Sequence, residues 1–153
     1  MRLRSLVLAL LSVVLLVVTG EAAVAAEGLA VDPAVSPPPH QVVAIYFHRT
    51  NRCPTCKRIS SYIDEAIKTT FADELKTRTV EWHMVDFQDG RNQRLVESYK
   101  ISSPTLVLAD IRDGKVETWM PMPKVWTLVR QKGEFFRYVQ EGIVAYLKGE
   151  SKG

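Results

Sequence analysis

Hydrophobic positions in the body of the chain fall into two kinds of pattern. Val42–Phe47 is an unbroken apolar run rich in β-forming side chains, which predicts a strand covered on both faces. Beyond it, apolar residues recur at helical spacing and predict a helix from Pro54 to Thr69, with the proline in the first turn, where a missing N–H costs nothing. These two elements open the folded part of the chain, which we place at residues 41–148.

The same patterns continue towards the C-terminus. The further predicted elements are a strand at Val80–Phe87, a short helix at Asn92–Tyr99, strands at Thr105–Ile111 and Val116–Met120, and a closing helix that carries the apolar stripe from Phe135 to Leu147. Gly114 lies in the turn between the last two strands, where a positive φ is useful. The order β-α-β-α-β-β-α predicts an α/β fold with a mixed sheet and helices on both faces.

The N-terminus has a different pattern. Arg2 and Arg4 form a short positive region before the apolar run Leu6–Val18, and Ala23-Val24-Ala25 supplies an A-x-A cleavage site. Residues 1–26 are therefore predicted to be a signal peptide.

An uncleaved membrane anchor is the alternative interpretation of this leader, and it would have to tolerate Glu21. The proline-rich residues 27–40 are predicted to be a semi-rigid linker, and residues 149–153 a flexible tail. We expect an exported protein, periplasmic or otherwise extracytoplasmic, that meets a membrane only if the leader stays uncleaved.

Composition narrows the classes of function. The chain has 153 residues, 46% of them hydrophobic, and a net charge of only +3. This near-balance of charge argues against nucleic-acid binding, which needs a concentrated basic face. No nucleic-acid partner is expected. The length excludes two full-sized domains, and two cysteines exclude a disulfide-stapled scaffold. One small domain, expected to be a monomer, remains.

Both cysteines belong to one C-x-x-C motif, Cys53-Pro54-Thr55-Cys56, at the predicted start of a helix. Unpaired N–H groups and the helix dipole favour a thiolate at Cys53, and Arg52 adds positive charge beside it. We predict that Cys53 is the attacking nucleophile and that Cys56 resolves the mixed disulfide. This chemistry needs no cofactor beyond the redox-active Cys53–Cys56 disulfide.

The element order, the dithiol and the segment Ile101-Ser102-Ser103-Pro104-Thr105-Leu106-Val107-Leu108 resemble the thioredoxin-fold superfamily over about Val42–Leu147. The resemblance implies a thioredoxin-like three-layer α/β/α fold with a mixed central sheet. It implies a thiol–disulfide oxidoreductase that acts on protein thiols and disulfides and is reset by a membrane redox partner. It also implies no bound metal, a cis peptide bond before the proline, and a substrate groove formed by Pro54, Thr55, Ser103, Pro104 and Thr105.

The sequence departs from the thioredoxin pattern at several places. Pro54-Thr55 replaces the usual Gly-Pro between the cysteines, and Asn51-Arg52 replaces the tryptophan that usually precedes them. The first strand, Val42–Phe47, lacks the buried carboxylate that helps to move a proton at the second cysteine. The direction of electron transfer is therefore not predicted.

Two other functions remain open. Cys53 and Cys56 could hold Cu(I) through soft thiolates, with His48 as a third ligand, in a metallochaperone. His48 could also titrate near the dithiol, although a solvated loop position is favoured. Alternatively, the fold could serve as a redox-inert binding module. For the Met120–Pro123 segment we favour core packing over a partner-binding patch.

Overall fold

In a computed structural model, residues 37–150 form a four-stranded sheet with helices on both of its faces. The strands are β1 (His40–His48), β2 (Val80–Asp86), β3 (Thr105–Arg112) and β4 (Lys115–Pro121). The helices are α1 (Pro54–Thr70), α2 (Ala72–Lys76), α3 (Gln93–Ser98) and α4 (Lys132–Leu147), with 3-10 turns at Gly90–Asn92, Pro123–Val125 and Leu128–Arg130. The predicted signal peptide, most of the linker and residues 151–153 lie outside the described residues.

The strands are arranged in the order β2-β1-β3-β4, so the strand predicted to be covered on both faces is central. β1 runs parallel to β2 and antiparallel to β3, and β4 is antiparallel to β3. Phe47 pairs with Thr105, and His48 pairs with Asp86. The end of β1, the end of β2 and the start of β3 therefore meet at one edge of the sheet.

Side chains of β1 alternate between two cores, which gives the molecule three layers. Val42, Ala44 and Tyr46 belong to the larger core, together with apolar residues of α1 and α4. Phe47 belongs to the smaller core, beside Tyr99 at the end of α3, with 5.8 Å between the ring centroids. The prediction of a three-layer α/β/α fold with a mixed central sheet is confirmed.

Helix α1 forms where helical spacing predicted it. Its buried positions include Ile59, Ile63 and Ile67, which recur every four residues and face the sheet. Burial of each isoleucine contributes about 1.5–3 kcal/mol relative to exposure. The helix ends at Thr70, and the N–H of the C-cap residue Phe71 still donates to the Ile67 carbonyl at 2.8 Å.

The region around β4 also follows its prediction. Asp113 and Gly114 both have positive φ, at 49° and 74°, as a two-residue type I′ hairpin turn requires. Met122, after the strand, is 1% exposed and lies in the larger core, and Met120 packs partly buried against it, so core packing is confirmed for these two methionines. Pro121 and Pro123 are exposed.

Sequence patterns did not predict every element. The short helix α2 and the 3-10 turns between β4 and α4 were absent from the prediction, because they are too short to carry an apolar period. Among residues 37–150, no helix has the length and apolar character needed to cross a membrane.

Candidate active site

The two cysteines lie where α1 begins, just beyond the edge of the sheet at which β1 ends. Cys53 is the N-cap residue of α1 and is exposed, whereas Cys56 lies in the first turn and is 8% exposed. Both are free cysteines, and their Sγ atoms are 2.6 Å apart. One sulfur is therefore open to a partner protein, and the other lies directly behind it.

The surroundings of Cys53 favour its thiolate. Its Sγ accepts a hydrogen bond from the Cys56 N–H at 3.2 Å, which is the side-chain bond of an N-cap residue. The hydrogen bond with the Cys56 thiol, followed by backbone N–H donors, lowers the pKa of Cys53 below that of an ordinary thiol. Cys53 is thus the sulfur suited to nucleophilic attack.

The surroundings of Cys56 have the opposite effect. Burial raises the pKa of Cys56, and the hydrogen bond with Cys53 raises it further. Two adjacent thiols whose pKa values are displaced in opposite directions can take different roles in one reaction. This arrangement allows the outer sulfur to react first while the inner sulfur keeps its proton.

Arg52 is anchored under the first turn of α1. Its Nη2 donates to the Cys56 carbonyl at 3.3 Å and also to Ser60 Oγ. Ser60 is buried and in turn donates to the Lys57 carbonyl at 2.9 Å. The sequence indicated only that Arg52 brings positive charge near the dithiol. Its anchorage was missed, although Ser60 lies one turn after Cys56 and so on the same helix face.

Tyr46 is a second residue that the sequence analysis missed. It lies on β1, faces α1 in the larger core and is completely buried. The alternation of β1 placed it beside Val42 and Ala44, and only its hydroxyl distinguishes it from an ordinary core residue. That hydroxyl interacts with the thiol of Cys56.

The loop between β1 and the dithiol is tied to the segment that follows β2. The Phe87 N–H donates to the His48 carbonyl at 2.9 Å, and the Thr50 N–H donates to Gln88 Oε1 at 3.1 Å. His48 itself is half-buried, with its Nδ1 2.9 Å from the Arg49 carbonyl. Within the described part of the chain, no three potential metal ligands of the His, Cys, Asp or Glu type come together, so His48 does not complete a three-ligand site with the cysteines.

The predicted groove residues approach the same edge of the sheet from two elements. Pro54 and Thr55 are exposed in the first turn of α1, while Ser103, Pro104 and Thr105 lead into β3 beside the end of β1. Ser103 and Thr105 also line a cleft of about 200 Å³ that the other three do not line. Their role in binding a substrate stays a prediction.

The prediction of a cis peptide bond before Pro104 is wrong for this structure, in which residues 37–150 contain no cis peptide bond. An X–Pro bond favours the trans form by about 0.5–1 kcal/mol, and the prediction relied on family context rather than on a local contact that would reverse this preference. The Pro104 carbonyl accepts a hydrogen bond from Trp126 Nε1 at 3.0 Å. This bond holds the segment before β3 against the turn that follows β4.

Comparisons with known proteins give structural neighbours only. No family model matches the sequence, and no curated protein matches it. Similar solved structures include an oxidised thioredoxin from Plasmodium falciparum, with 17% identity, a TM-score of 0.42, and coverage of 67% of this chain and 82% of that one. A thioredoxin from Thermus thermophilus has 20% identity, a TM-score of 0.41, and coverage of 69% and 76%. The thioredoxin of Fasciola hepatica has 22% identity, a TM-score of 0.37, and coverage of 64% and 81%.

Proposed function

We propose that the protein is a thiol–disulfide oxidoreductase that exchanges disulfides with partner proteins through Cys53 and Cys56. The asymmetry of the two thiols carries this proposal. Cys53 is exposed and has a lowered pKa, while Cys56 is buried behind it, has a raised pKa and lies 2.6 Å away from sulfur to sulfur. A structural disulfide between residues three apart would restrain the unfolded chain very little, so stability alone does not explain the two cysteines.

In the reducing direction, the Cys53 thiolate attacks one sulfur of a partner disulfide. A bond forms between Cys53 Sγ and that sulfur, and the other partner sulfur leaves as a thiolate. Cys56 then loses its proton to solvent and attacks Cys53 Sγ. The Cys53–Cys56 bond forms, and the first partner sulfur leaves. Two electrons pass from the dithiol to the partner disulfide, and no organic cofactor takes part.

The oxidising direction uses the same atoms in reverse. A partner thiolate attacks Cys53, the exposed sulfur of the disulfide form, and Cys56 leaves as a thiolate behind it. The reduction potential of the pair decides which direction prevails. In either direction a membrane redox partner must restore the starting state of the dithiol.

The segment before β3 is the proposed contact for the partner polypeptide. Ser103 is exposed and Pro104 and Thr105 are half-buried, at the edge of the sheet from which the chain continues to Cys53. Exposed backbone at Ser103 would hydrogen-bond to an extended peptide. The proposed groove is completed by Pro54 and Thr55 on α1.

Export is the remaining part of the proposal. The leader at residues 1–26 supports it, and an oxidising compartment is where protein disulfides are available as substrates. We propose a monomer that acts on proteins and has no nucleic-acid partner. Membrane attachment is proposed only for a chain whose leader stays uncleaved.

Trapping tests the proposed reaction in the reducing direction. With Cys56→Ser, the protein incubated with insulin, whose chains are joined by disulfides, should accumulate a mixed disulfide through Cys53, visible as a reducible adduct by mass spectrometry. Cys53→Ser is the matched control and should form no such adduct through Cys56. Absence of the adduct, together with stoichiometric Cu(I) binding that needs both cysteines, would favour the copper chaperone instead. Unchanged partner binding in Cys53→Ser, without an adduct in either variant, would favour the redox-inert module.

A further inference from the structure

The Tyr46 hydroxyl is a buried polar group that interacts with the Cys56 thiol but has no hydrogen bond of full geometry. Tyr46 is 0% exposed, and its Oη is among the buried side-chain atoms that have no hydrogen-bond partner within residues 37–150. Buried hydroxyl groups are nearly always paired, because burial strips away the water that would otherwise bind them. The weakly paired Oη is therefore suited to a stronger hydrogen bond with Cys56 in another state of the site.

The titratable and charged groups that face Tyr46 belong to the dithiol turn. Burial raises the pKa of Tyr46 well above its ordinary value, the Cys56 thiol raises it further, and Cys53 adds to the rise, while Arg52 opposes it. Among the described residues, the only other titratable ring beside Tyr46 is that of His48, with 6.5 Å between the ring centroids. Tyr46 therefore keeps its proton and can act as a donor, but not as a base.

Arg52 offers a second donor at the same turn. Its Nη2 is bonded to the Cys56 carbonyl and to Ser60, whereas its Nε is buried without a hydrogen-bond partner within the part of the chain that the structure describes. Thus a neutral hydroxyl lies beside the inner sulfur, and a guanidinium is bonded to the backbone carbonyl of the same cysteine. Such a set of donors suits an anion better than a thiol.

Disulfide exchange produces the negative charge that these donors can stabilise. In the dithiol state, the hydrogen of the pair lies between Cys53 and Cys56, and Tyr46 Oη does not reach hydrogen-bond geometry with Cys56. Once Cys53 is joined to a partner, Cys56 must give up its proton to solvent and attack as a thiolate. In the reverse direction, the same sulfur leaves as a thiolate. Both steps create a buried negative charge where the unpaired donors lie.

We propose that Tyr46 is a positioning residue that donates a hydrogen bond from Oη to the Cys56 thiolate, with Arg52 supplying the counter-charge. This inference rests on the proposed exchange reaction and names the groups that stabilise its inner sulfur. The strand β1, which carries Tyr46, has no carboxylate that could move the proton of Cys56. Each transfer leaves Tyr46 protonated.

The direct test is the pKa of Cys56, measured by ultraviolet thiolate absorbance in a Cys53→Ser background. Adding Tyr46→Phe should raise the pKa of Cys56 by about one unit, which is a tenfold loss of thiolate at a given pH below that pKa. Tyr62→Phe, which removes a hydroxyl from the exposed side of the same core, is the matched control and should leave the pKa unchanged. An unchanged or lowered pKa in Tyr46→Phe would overturn the proposal.

A kinetic measurement separates this role from a structural one. With Cys53 held in a mixed disulfide, Tyr46→Phe should slow release of the partner by about threefold, because the tenfold loss of thiolate is partly offset by its greater nucleophilicity. The alkylation rate of Cys53 in the otherwise unchanged protein should stay the same. If Tyr46→Phe does not fold, Arg52→Gln should move the pKa of Cys56 in the same direction, and failure to do so would count against the proposal.

The two proposals can fail separately. A raised pKa of Cys56 in Tyr46→Phe without any mixed disulfide in Cys56→Ser would refute the exchange reaction and retain the thiolate site. A mixed disulfide with an unchanged pKa in Tyr46→Phe would retain the exchange reaction and refute the role of Tyr46.

Discussion

Replacing Trp126 by phenylalanine should weaken both the fold and the binding of partner proteins. Trp126 Nε1 donates to the Pro104 carbonyl at 3.0 Å, and its ring packs against the larger core while partly exposed. Loss of the hydrogen bond and of part of the ring area should together cost about 1–2 kcal/mol. For a domain of this size that corresponds to a melting temperature roughly 4–8 °C lower.

The same change should separate partner binding from the chemistry of the dithiol. Pro104 belongs to the proposed groove, and a less ordered groove must be ordered when the partner binds. If this ordering takes about 1 kcal/mol from the binding free energy, KM for a protein disulfide should rise by up to about fivefold. The alkylation rate of Cys53 should not change, because this residue is held by α1. Urea denaturation and steady-state disulfide exchange measure the two effects.

Trp82→Phe is the matched control for this prediction. Trp82 pairs with Ala44 between β2 and β1, packs partly buried against the larger core, and does not line the cleft that Ser103 and Thr105 share. It should lose some stability through reduced packing and keep KM unchanged. Equal losses of stability in the two variants, with KM unchanged in Trp126→Phe, would refute the view that the indole N–H holds the groove.

The remaining predictions concern packing and pH. A Cβ at Gly142 would lie 2.8 Å from Met122 Cε, whereas one at Gly133 on the same helix meets nothing within 4 Å. Gly133→Ala should therefore gain up to about 1 kcal/mol of stability in urea denaturation. Gly142→Ala should be about 1–3 kcal/mol less stable than the Gly133→Ala variant. Equal stabilities of the two variants would contradict the close approach of α4 to Met122. Because the pKa of Cys53 is lowered, its alkylation should stay fast as pH falls through about 8.5, the ordinary thiol pKa, and should slow only at lower pH. A midpoint of the rate-against-pH curve at the ordinary thiol pKa would contradict the choice of Cys53 as the nucleophile.

Local patterns predicted the fold well, because its main elements carry strong local signals. The unbroken run Val42–Phe47 became the central strand, and the helical spacing after Cys53 became α1, which extends one residue beyond its predicted end at Thr69. The helix α2 was missed because five residues cannot show a period.

The surroundings of the dithiol were predicted only in part. A C-x-x-C motif at a helix start is visible in the sequence, and so are the roles that it suggests for Cys53 and Cys56. The position of Tyr46 behind the inner sulfur depends on how β1 packs against α1, and the anchorage of Arg52 depends on the path of its side chain. Neither is encoded in local spacing. The peptide bond before Pro104 was predicted wrongly, since family context was set against the intrinsic trans preference.

Redox equilibration of the Cys53–Cys56 pair shows whether the two cysteines act together as a redox-active disulfide. The protein is equilibrated in thiol–disulfide buffers of graded potential, quenched by alkylation and analysed by mass spectrometry. We expect a single two-electron transition between the dithiol and the intramolecular disulfide. A midpoint near −270 mV would indicate a reductant and one near −120 mV an oxidant. Cysteines that become modified independently of each other, without an intramolecular disulfide at any potential, would contradict the claim.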